Sequence, residues 1–431
     1  MRRRVVVTGI GWVTPMGHDI EHVWQKLLDG RSGVAPTTIF DASTFPTQFS
    51  AEVRDFDLAA FLQDDFPQHK NVSRQVGFAL AAARQAWDQS RLDEDHALDP
   101  AMVGIYMGSG EGPLDFDSFA VPAVKGWNRQ ANTLDARQWA EWAYKCLSPI
   151  IEFEQDPNMA IGHLAAMFNA RGPGFNCLTA CAASTQAIGE ATMLIRRGDA
   201  DVMIGGGCHS MIHPMGLTGF SRLTALSTRN DSVQTASRPF DRTRDGFVLG
   251  EGAGVLILEE LQHAMRRGAP VLGEIIGYGS TADAFRITDI HEEGRGAIAA
   301  MRGAIDDAGI ALADVDYISA HGTATQENDK IETLAIRKLF GDRAYKIPVS
   351  SMKSMLGHLI AAAGAVELIT CLLAIRDQII PPTINYQHPD PNCDLDYVPN
   401  KPRKARLDIA LSNSFGFGGQ NDALLVRAHK P

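Results

Sequence analysis

The chain has 431 residues, of which 45% are apolar and 21% are charged. This length and balance predict a folded protein with a large core, in two or three domains or one duplicated unit, and exclude a small disulfide-stapled module. A formal net charge of −11 disfavours nucleic acid as the main partner, although a local basic patch could bind an acidic protein. The 40 glycines exceed the usual share of about 7%.

The cysteines and the apolar runs indicate the compartment. Six cysteines without a CxxC pair are too few for a disulfide framework, which predicts a reduced, cytoplasmic protein. Cys177, Cys181, His209 and His213 match no usual zinc spacing, so a metal site is disfavoured. The first apolar run is too short for a signal-peptide core, and the longest runs are too short for a membrane span, so we expect neither export nor a membrane segment.

Short apolar runs alternate with helical patterns along the chain and predict an α/β layered fold. The predicted strands are residues 5–8, 103–107, 202–204, 255–258, 317–320, 347–351 and 409–413. Glycines follow many of these runs and permit close backbone approach where strands end. They match neither GxGxxG nor a phosphate-binding loop, so nucleotide binding is unsupported.

Two segments interrupt this alternation. Residues 113–150 hold many aromatic residues without strand periodicity and are typical of an insertion, in which residues 135–145 predict a short amphipathic helix packed on the main body. For this segment, simple structural packing is favoured over a binding role. Residues 266–270 form the best candidate seam between two halves, and a new strand is predicted at 271–279.

Cys181 precedes a strong helical pattern over residues 185–197 that ends at Gly198. Near a helix N-terminus, the positive end of the dipole lowers the pKa of a thiol and favours the nucleophilic thiolate. On this segment alone, a buried structural cysteine is an equally good interpretation.

Two histidines and a lysine support the catalytic interpretation. His321 follows a predicted strand, and His358 precedes an Ala- and Gly-rich helix predicted over 359–375; each lies beside a glycine. Lys353, five residues before His358, could face the same site. Alone, such a lysine is more often a solvated surface residue.

The last motif lies at residues 413–421, after the final predicted strand. Its glycines allow backbone amides to point at a reacting oxyanion, and Phe415 and Phe417 could close an acyl tunnel. As an isolated glycine turn, it would be a weak signal.

These segments, with motifs at 171–174, 198–203, 225–231, 238–241, 244–248 and 381–385, resemble the elongating β-ketoacyl-acyl-carrier-protein synthases of the thiolase superfamily. The type II condensing enzymes of bacterial fatty acid synthesis are the nearest in pattern, and the resemblance covers nearly the whole chain. It implies two βαβαβαββ halves in a five-layer α-β-α-β-α fold. Residues 1–268 would carry the nucleophile and the insertion, and residues 269–431 the His/His/Lys set. It also implies a homodimer without cofactor or metal.

The resemblance further implies a decarboxylative condensation between two groups delivered by acyl carrier protein. Cys181 would hold the acyl thioester, His321 and His358 would donate N–H bonds to malonyl, and the amides of Cys181 and Phe417 would hold the oxyanion. The implied supporting residues are Lys353 beside His358 and paired with Glu367, Asp329 as structural support, Thr323 and Thr325 along the pantetheine arm, and Phe415, Glu111, Phe220 and Thr288 at the substrate pocket.

Departures from the family pattern leave the substrate open. Glu111 stands where an apolar residue is usual, and residues 151–157 and 283–291 are also atypical, which suggests a specialised synthase with a polyketide-like or modified acyl product. The alternatives are a non-catalytic chain-length partner subunit, a thiolase and an acyl-CoA-priming synthase; Cys181 with both histidines disfavours each of them. The expected dock for the acidic carrier protein is a basic patch of His69, Lys70, Arg74 and Arg222.

Overall fold

The computed structural model describes residues 2–111 and 114–430, in which strands and helices alternate. The strands are β1 (Val5–Val13), β2 (Ala35–Pro36), β3 (Phe49–Ser50), β4 (Val103–Ser109), β5 (Trp127–Asn128), β6 (Thr133–Leu134), β7 (Gly174–Cys177), β8 (Val202–His209), β9 (Gly252–Glu260), β10 (Gly273–Ala282), β11 (Tyr317–Ser319), β12 (Val349–Ser350), β13 (Ile379–Ile380), β14 (Arg403–Lys404), β15 (Ile409–Gly416) and β16 (Gln420–Arg427). The α-helices are α1 (Ile20–Leu28), α2 (Leu58–Leu62), α3 (Phe66–His69), α4 (Arg74–Ser90), α5 (Phe116–Gly126), α6 (Ala136–Cys146), α7 (Pro149–Glu154), α8 (Met159–Phe168), α9 (Ala183–Arg197), α10 (Pro214–Arg222), α11 (Leu261–Arg266), α12 (Arg295–Ala308), α13 (Gln326–Phe340), α14 (Lys353–Leu356) and α15 (Ala363–Asp377).

The main sheet shows that the fold is duplicated. Its strand order is β12-β11-β15-β16-β10-β1-β9-β8-β4-β7. Each half contributes five strands to this sheet, and β1 and β10 form the antiparallel pair at its centre. When the five strands of each half are numbered in chain order, both halves run outward from the centre in the spatial order first, fifth, fourth, second, third. The predicted α/β duplicated fold is therefore confirmed. We propose that the halves divide at residue 268, in the connection between α11 and β10.

The helices complete five layers. α9 and α15 pack on each other between the two halves of the sheet, α4 and α8 cover one outer face, and α12 and α13 cover the other. Both central helices follow a 3-10 turn, Ala180–Ala182 or Ile360–Ala362. The first residue of each turn is left-handed, with φ of 48° at Ala180 and 45° at Ile360. A non-glycine residue is uncommon in this region, so the same strained turn is built twice.

Close packing of the outer helices explains part of the glycine excess. A Cβ added to Gly11 in β1 would lie 1.9 Å from the Ala82 carbonyl oxygen in α4. One added to Gly279 in β10 would lie 2.1 Å from the Ala300 carbonyl oxygen in α12. Each glycine ends a G-x-G triplet in the first strand of its half, so the duplication is visible in the sequence once the strands are aligned.

All seven predicted strands are present, mostly longer than expected, and the strand predicted at 271–279 is β10. Among the strands of the main sheet, the sequence analysis missed β7 and β16. The helix predicted at 359–375 begins later, as α15, because the 3-10 turn precedes it. In the insertion, α6 packs against α5 rather than on the main body, and its Tyr144 is 93% exposed. Within the described residues, no helix is long and apolar enough to cross a membrane.

Candidate active site

Cys181 lies in the 3-10 turn before α9, with its side chain buried. Burial raises the pKa of its thiol to about 11, although the charge of Lys353 and the backbone N–H groups of Phe417 and Cys181 favour the thiolate. The prediction of a lowered thiol pKa is therefore wrong, because desolvation outweighs the effects that stabilise the charge. The resting nucleophile is a protonated thiol.

His358 is the nearest partner of that thiol, with 3.0 Å between its Nε2 and the Cys181 Sγ. Its Nδ1 accepts a hydrogen bond from the Ile360 backbone N–H at 3.2 Å. An accepting Nδ1 carries no proton, so the hydrogen bond assigns the neutral ring a proton on Nε2. Burial holds the pKa of His358 well below its ordinary value. The ring thus presents an N–H donor to the nucleophile.

His321 provides a second donor of the same kind. Its ring lies 5.4 Å from that of His358, centroid to centroid, with the planes almost perpendicular. Its Nδ1 is 3.5 Å from the Lys353 Nζ, and an ammonium can only donate, which places the ring proton on Nε2. Burial, reinforced by the charge of Lys353, lowers the pKa of His321 far below its ordinary value.

Lys353 forms a buried ion pair with Glu367, with 2.5 Å between Nζ and Oε1. This pairing agrees with the expected one. The expected position beside His358 requires a correction, because the hydrogen-bond partner of Lys353 is the ring of His321. The lysine begins α14, just after β12, and β12 pairs with β11, which ends two residues before His321. This strand pairing brings the lysine to the Nδ1 side of that ring.

Two acidic residues of α13 hold the loop around His321. Both Glu332 carboxylate oxygens accept hydrogen bonds at 2.8 Å, one from the N–H of His321 and the other from that of Gly322. Asp329, expected as structural support, accepts the N–H of Ala324 in this loop at 3.2 Å and that of Phe240 at 2.7 Å. Sequence reasoning missed Glu332; an acidic residue at a core position of α13 was the available signal.

Two neighbouring cavities share part of their walls, and Cys181 lines the first of them. The first, of about 270 Å³, is lined by Cys181, His321 and His358 together with the predicted residues Thr288, Thr323, Thr325 and Phe415. The second, of about 380 Å³, is lined by the predicted residues Glu111 and Phe220 together with Ala180 and His209. Phe417, Ile360 and Leu223 line both cavities. The predicted substrate residues thus line two different cavities. Glu111, which lines the second, is exposed.

The sulfur and one ring nitrogen of each histidine lie within 4.8 Å of one another. This arrangement could hold a soft metal ion, and it differs from the cluster considered from the sequence, which combined Cys177 and Cys181 with His209 and His213. In the part of the chain that the structure describes, no other group of three such side chains is as close.

The predicted basic patch is wrong for His69, whereas its other three members are exposed. His69 is buried, and its Nδ1 lies 2.8 Å from the Nδ1 of His163. The Arg74 guanidinium is bound by Glu251, with 2.9 Å from Nε to Oε2. Lys70 and Arg222 are exposed, so the local positive charge available to a partner is smaller than expected.

Comparison with known proteins identifies the family. The family model described as "Beta-ketoacyl synthase, N-terminal domain" matches residues 2–264, and that described as "Beta-ketoacyl synthase, C-terminal domain" matches residues 272–387. The chain belongs to the β-ketoacyl synthase family.

Similar proteins span the full chain. The 3-oxoacyl-[acyl-carrier-protein] synthase 2 of Coxiella burnetii is 45% identical over 99% of this chain and 98% of the relative. The synthase of the same name from Synechocystis sp. is 43% identical over 100% and 99%. Among solved structures, a type II polyketide acyl-carrier protein in complex with its hexaketide-bound ketosynthase has a TM-score of 0.88 at 33% identity, with 100% of both chains covered. The ishigamide ketosynthase/chain length factor has a TM-score of 0.87 at 34% identity, again with 100% of both chains covered.

Proposed function

We propose that this chain is a 3-oxoacyl-[acyl-carrier-protein] synthase, which condenses an acyl group held on Cys181 with malonyl-acyl carrier protein and releases carbon dioxide. The observation that carries the proposal is the meeting of the Cys181 sulfur with two neutral Nε2–H donors at one cavity. The names of the relatives and the carrier protein bound to a similar ketosynthase support it.

In the first half-reaction, the Cys181 sulfur attacks the thioester carbonyl of the acyl-carrier protein. A new C–S bond forms, the bond to the pantetheine sulfur breaks, and the proton of the Cys181 thiol ends on the departing pantetheine thiol. The backbone N–H groups of Cys181 and Phe417 lie close enough to the sulfur to lower its pKa. They are thus placed to stabilise the oxyanion that forms beside it.

In the second half-reaction, the malonyl thioester occupies the first cavity, where His321 and His358 donate Nε2–H bonds to its carbonyl oxygen. The bond to the carboxylate breaks, carbon dioxide leaves, and the enolate attacks the acyl carbonyl and expels the Cys181 thiolate. Neutral rings suit this step, because an imidazolium would protonate the carbanion before it reacts. The lowered pKa of each ring keeps it neutral at physiological pH.

The working unit that we propose is a homodimer in the cytoplasm. β7 is one of the two end strands of the main sheet. Phe175 in this strand and Leu178 directly after it are 47% and 54% exposed. An exposed apolar edge strand readily pairs with a second copy. The six cysteines are free thiols, as is usual in the cytoplasm.

The direct test measures carbon dioxide release and condensation from malonyl-carrier protein, with mass spectrometry of acyl groups on the enzyme. We expect wild type to perform all three reactions, Cys181→Ala to lose acylation and condensation, and the matched control Cys146→Ala to retain them. A wild-type protein that neither decarboxylates malonyl nor becomes acylated at Cys181 would instead be a non-catalytic chain-length partner.

A further inference from the structure

His209 ends β8 at the wall of the second cavity. Its side chain is 2% exposed, and neither ring nitrogen has a hydrogen-bond partner among residues 2–111 and 114–430. A buried polar group without a partner costs about 1–3 kcal/mol, and native proteins rarely leave one without a reason. This histidine is therefore prepared for a partner that the described residues do not supply.

The ring is held there by packing. A Cβ added to Gly110 would lie 2.3 Å from the His209 Nδ1, so the absence of a side chain at residue 110 makes room for the imidazole. Gly219 in α10 lines the same cavity, and a Cβ added to it would meet no atom within 4 Å. The cavity thus has open space beside the helix.

The charge of His209 limits what it can bind. Burial, reinforced by His213, lowers its pKa to about 3, so the ring is neutral at physiological pH. The Nδ1 of His213 itself accepts the Gly216 N–H at 3.2 Å. A neutral imidazole has one N–H donor and one accepting nitrogen. Such a group suits an uncharged oxygen better than a carboxylate.

We propose that His209 hydrogen-bonds to a hydroxyl or keto oxygen carried by the acyl chain of the Cys181 thioester, where that chain extends into the second cavity. The inference rests on the proposed function and specifies its substrate class. Ala180, next to the nucleophile, lines the second cavity, and Phe417 lines both cavities. An acyl chain attached at Cys181 can therefore enter the second cavity. A saturated chain would leave the imidazole unpaired, and sites built to hydrogen-bond a substrate reject analogues that lack the matching group.

The test compares carrier-bound acyl groups of equal length, either saturated or with a hydroxyl or keto group at successive chain positions. The readout is the rate constant for acyl transfer to Cys181, followed by intact-protein mass spectrometry. We expect wild type to prefer the oxygenated chain by about tenfold at one position. His209→Phe removes this preference, His209→Gln keeps part of it because an amide both donates and accepts, and the matched wall variant Met211→Leu retains it.

Carbon dioxide release from malonyl-carrier protein by the wild-type enzyme tests the proposed function separately, because this reaction takes place in the first cavity. The inference is overturned if wild type accepts saturated chains equally well at every position, or if His209→Phe keeps the wild-type preference. Should His209→Phe not fold, Gly110→Ala displaces the ring instead and must lose the preference. If the wild-type protein shows neither acylation of Cys181 nor carbon dioxide release, the proposed function itself is refuted.

Discussion

Gly364 in α15 packs so closely on Thr185 in α9 that a Cβ on the glycine would lie 1.9 Å from the threonine hydroxyl oxygen. That hydroxyl is also held by Ser414 of β15 at 2.7 Å, so it cannot turn away without losing a buried hydrogen bond. Cys181 lies in the turn before α9, and His358 lies just before the turn that leads into α15. The approach of these two helices therefore sets the separation between nucleophile and histidine.

Gly364→Ala should push the central helices apart. Overpacking of a core costs about 1–3 kcal/mol, so we expect a lower urea midpoint together with slower acylation of Cys181. Adding Thr185→Ala should restore part of both, since the nearest remaining side-chain atom of residue 185, its Cβ, is 3.1 Å from the new methyl group. In the control Gly303→Ala in α12, the nearest atom is 3.5 Å away, and stability should stay level or rise. Equal losses in the two glycine variants would contradict this account.

The ion pair between Lys353 and Glu367 is predicted to serve stability and catalysis separately. Lys353→Met leaves a buried carboxylate unpaired, which typically costs about 3–5 kcal/mol. Adding Glu367→Leu should recover most of that stability. Carbon dioxide release should nevertheless stay slow, because the Nδ1 of His321 still lacks its donor. Denaturant unfolding and decarboxylation rates of the two single variants and the double variant test this, and full recovery of activity in the double variant would refute the role given to Lys353.

Glu332 should make the protein less stable as pH rises. Burial raises the pKa of its carboxyl to about 7 from an ordinary 4.5. Between pH 4.5 and 7 the folded chain keeps a proton that the unfolded chain has lost. The contribution of Glu332 to the free energy of unfolding is therefore fully present below pH 4.5 and is lost as pH rises through 7. The resulting loss in the free energy of unfolding is about 3 kcal/mol, because one pKa unit corresponds to about 1.36 kcal/mol.

Urea unfolding between these pH values should therefore show a flatter pH dependence in Glu332→Gln than in wild type. The control Glu327→Gln removes an exposed carboxylate from the same helix and should keep the wild-type slope. If Glu332→Gln also keeps that slope, the carboxyl does not titrate as described.

Phe175→Asp should dissociate the proposed homodimer, because it places a charge in β7, at the unpaired edge of the main sheet. Light scattering after size exclusion would then report a monomer. Ile287→Asp is the matched control, since Ile287 is 82% exposed and lies in a loop away from that edge. A dimer that survives Phe175→Asp and Leu178→Asp together would place the subunit contact elsewhere.

The regular elements of the fold could be predicted from the sequence, but β7 and the role of Glu332 could not. The seven strands and the helix predicted at 185–197, observed as α9, were predictable because hydrophobic periodicity and glycine stops are local properties of the chain. β7 escaped because its residues, Gly174 to Cys177, are partly exposed at a sheet edge and show no buried pattern. Glu332 escaped because its carboxylate acts on backbone atoms ten and eleven residues away, and no local pattern encodes such a contact.

The sequence by itself determined the residue types and their order: a cysteine before a helix, two histidines beside glycines, a lysine between them and a glycine turn at the end. Only the tertiary structure decided their chemical states. The Ile360 N–H and the Lys353 ammonium select the ring tautomers, burial keeps the Cys181 thiol protonated, and Gly110 leaves room for the unpaired His209. Local order is set by neighbours along the chain, whereas burial, tautomer and charge depend on contacts among segments that only folding brings together.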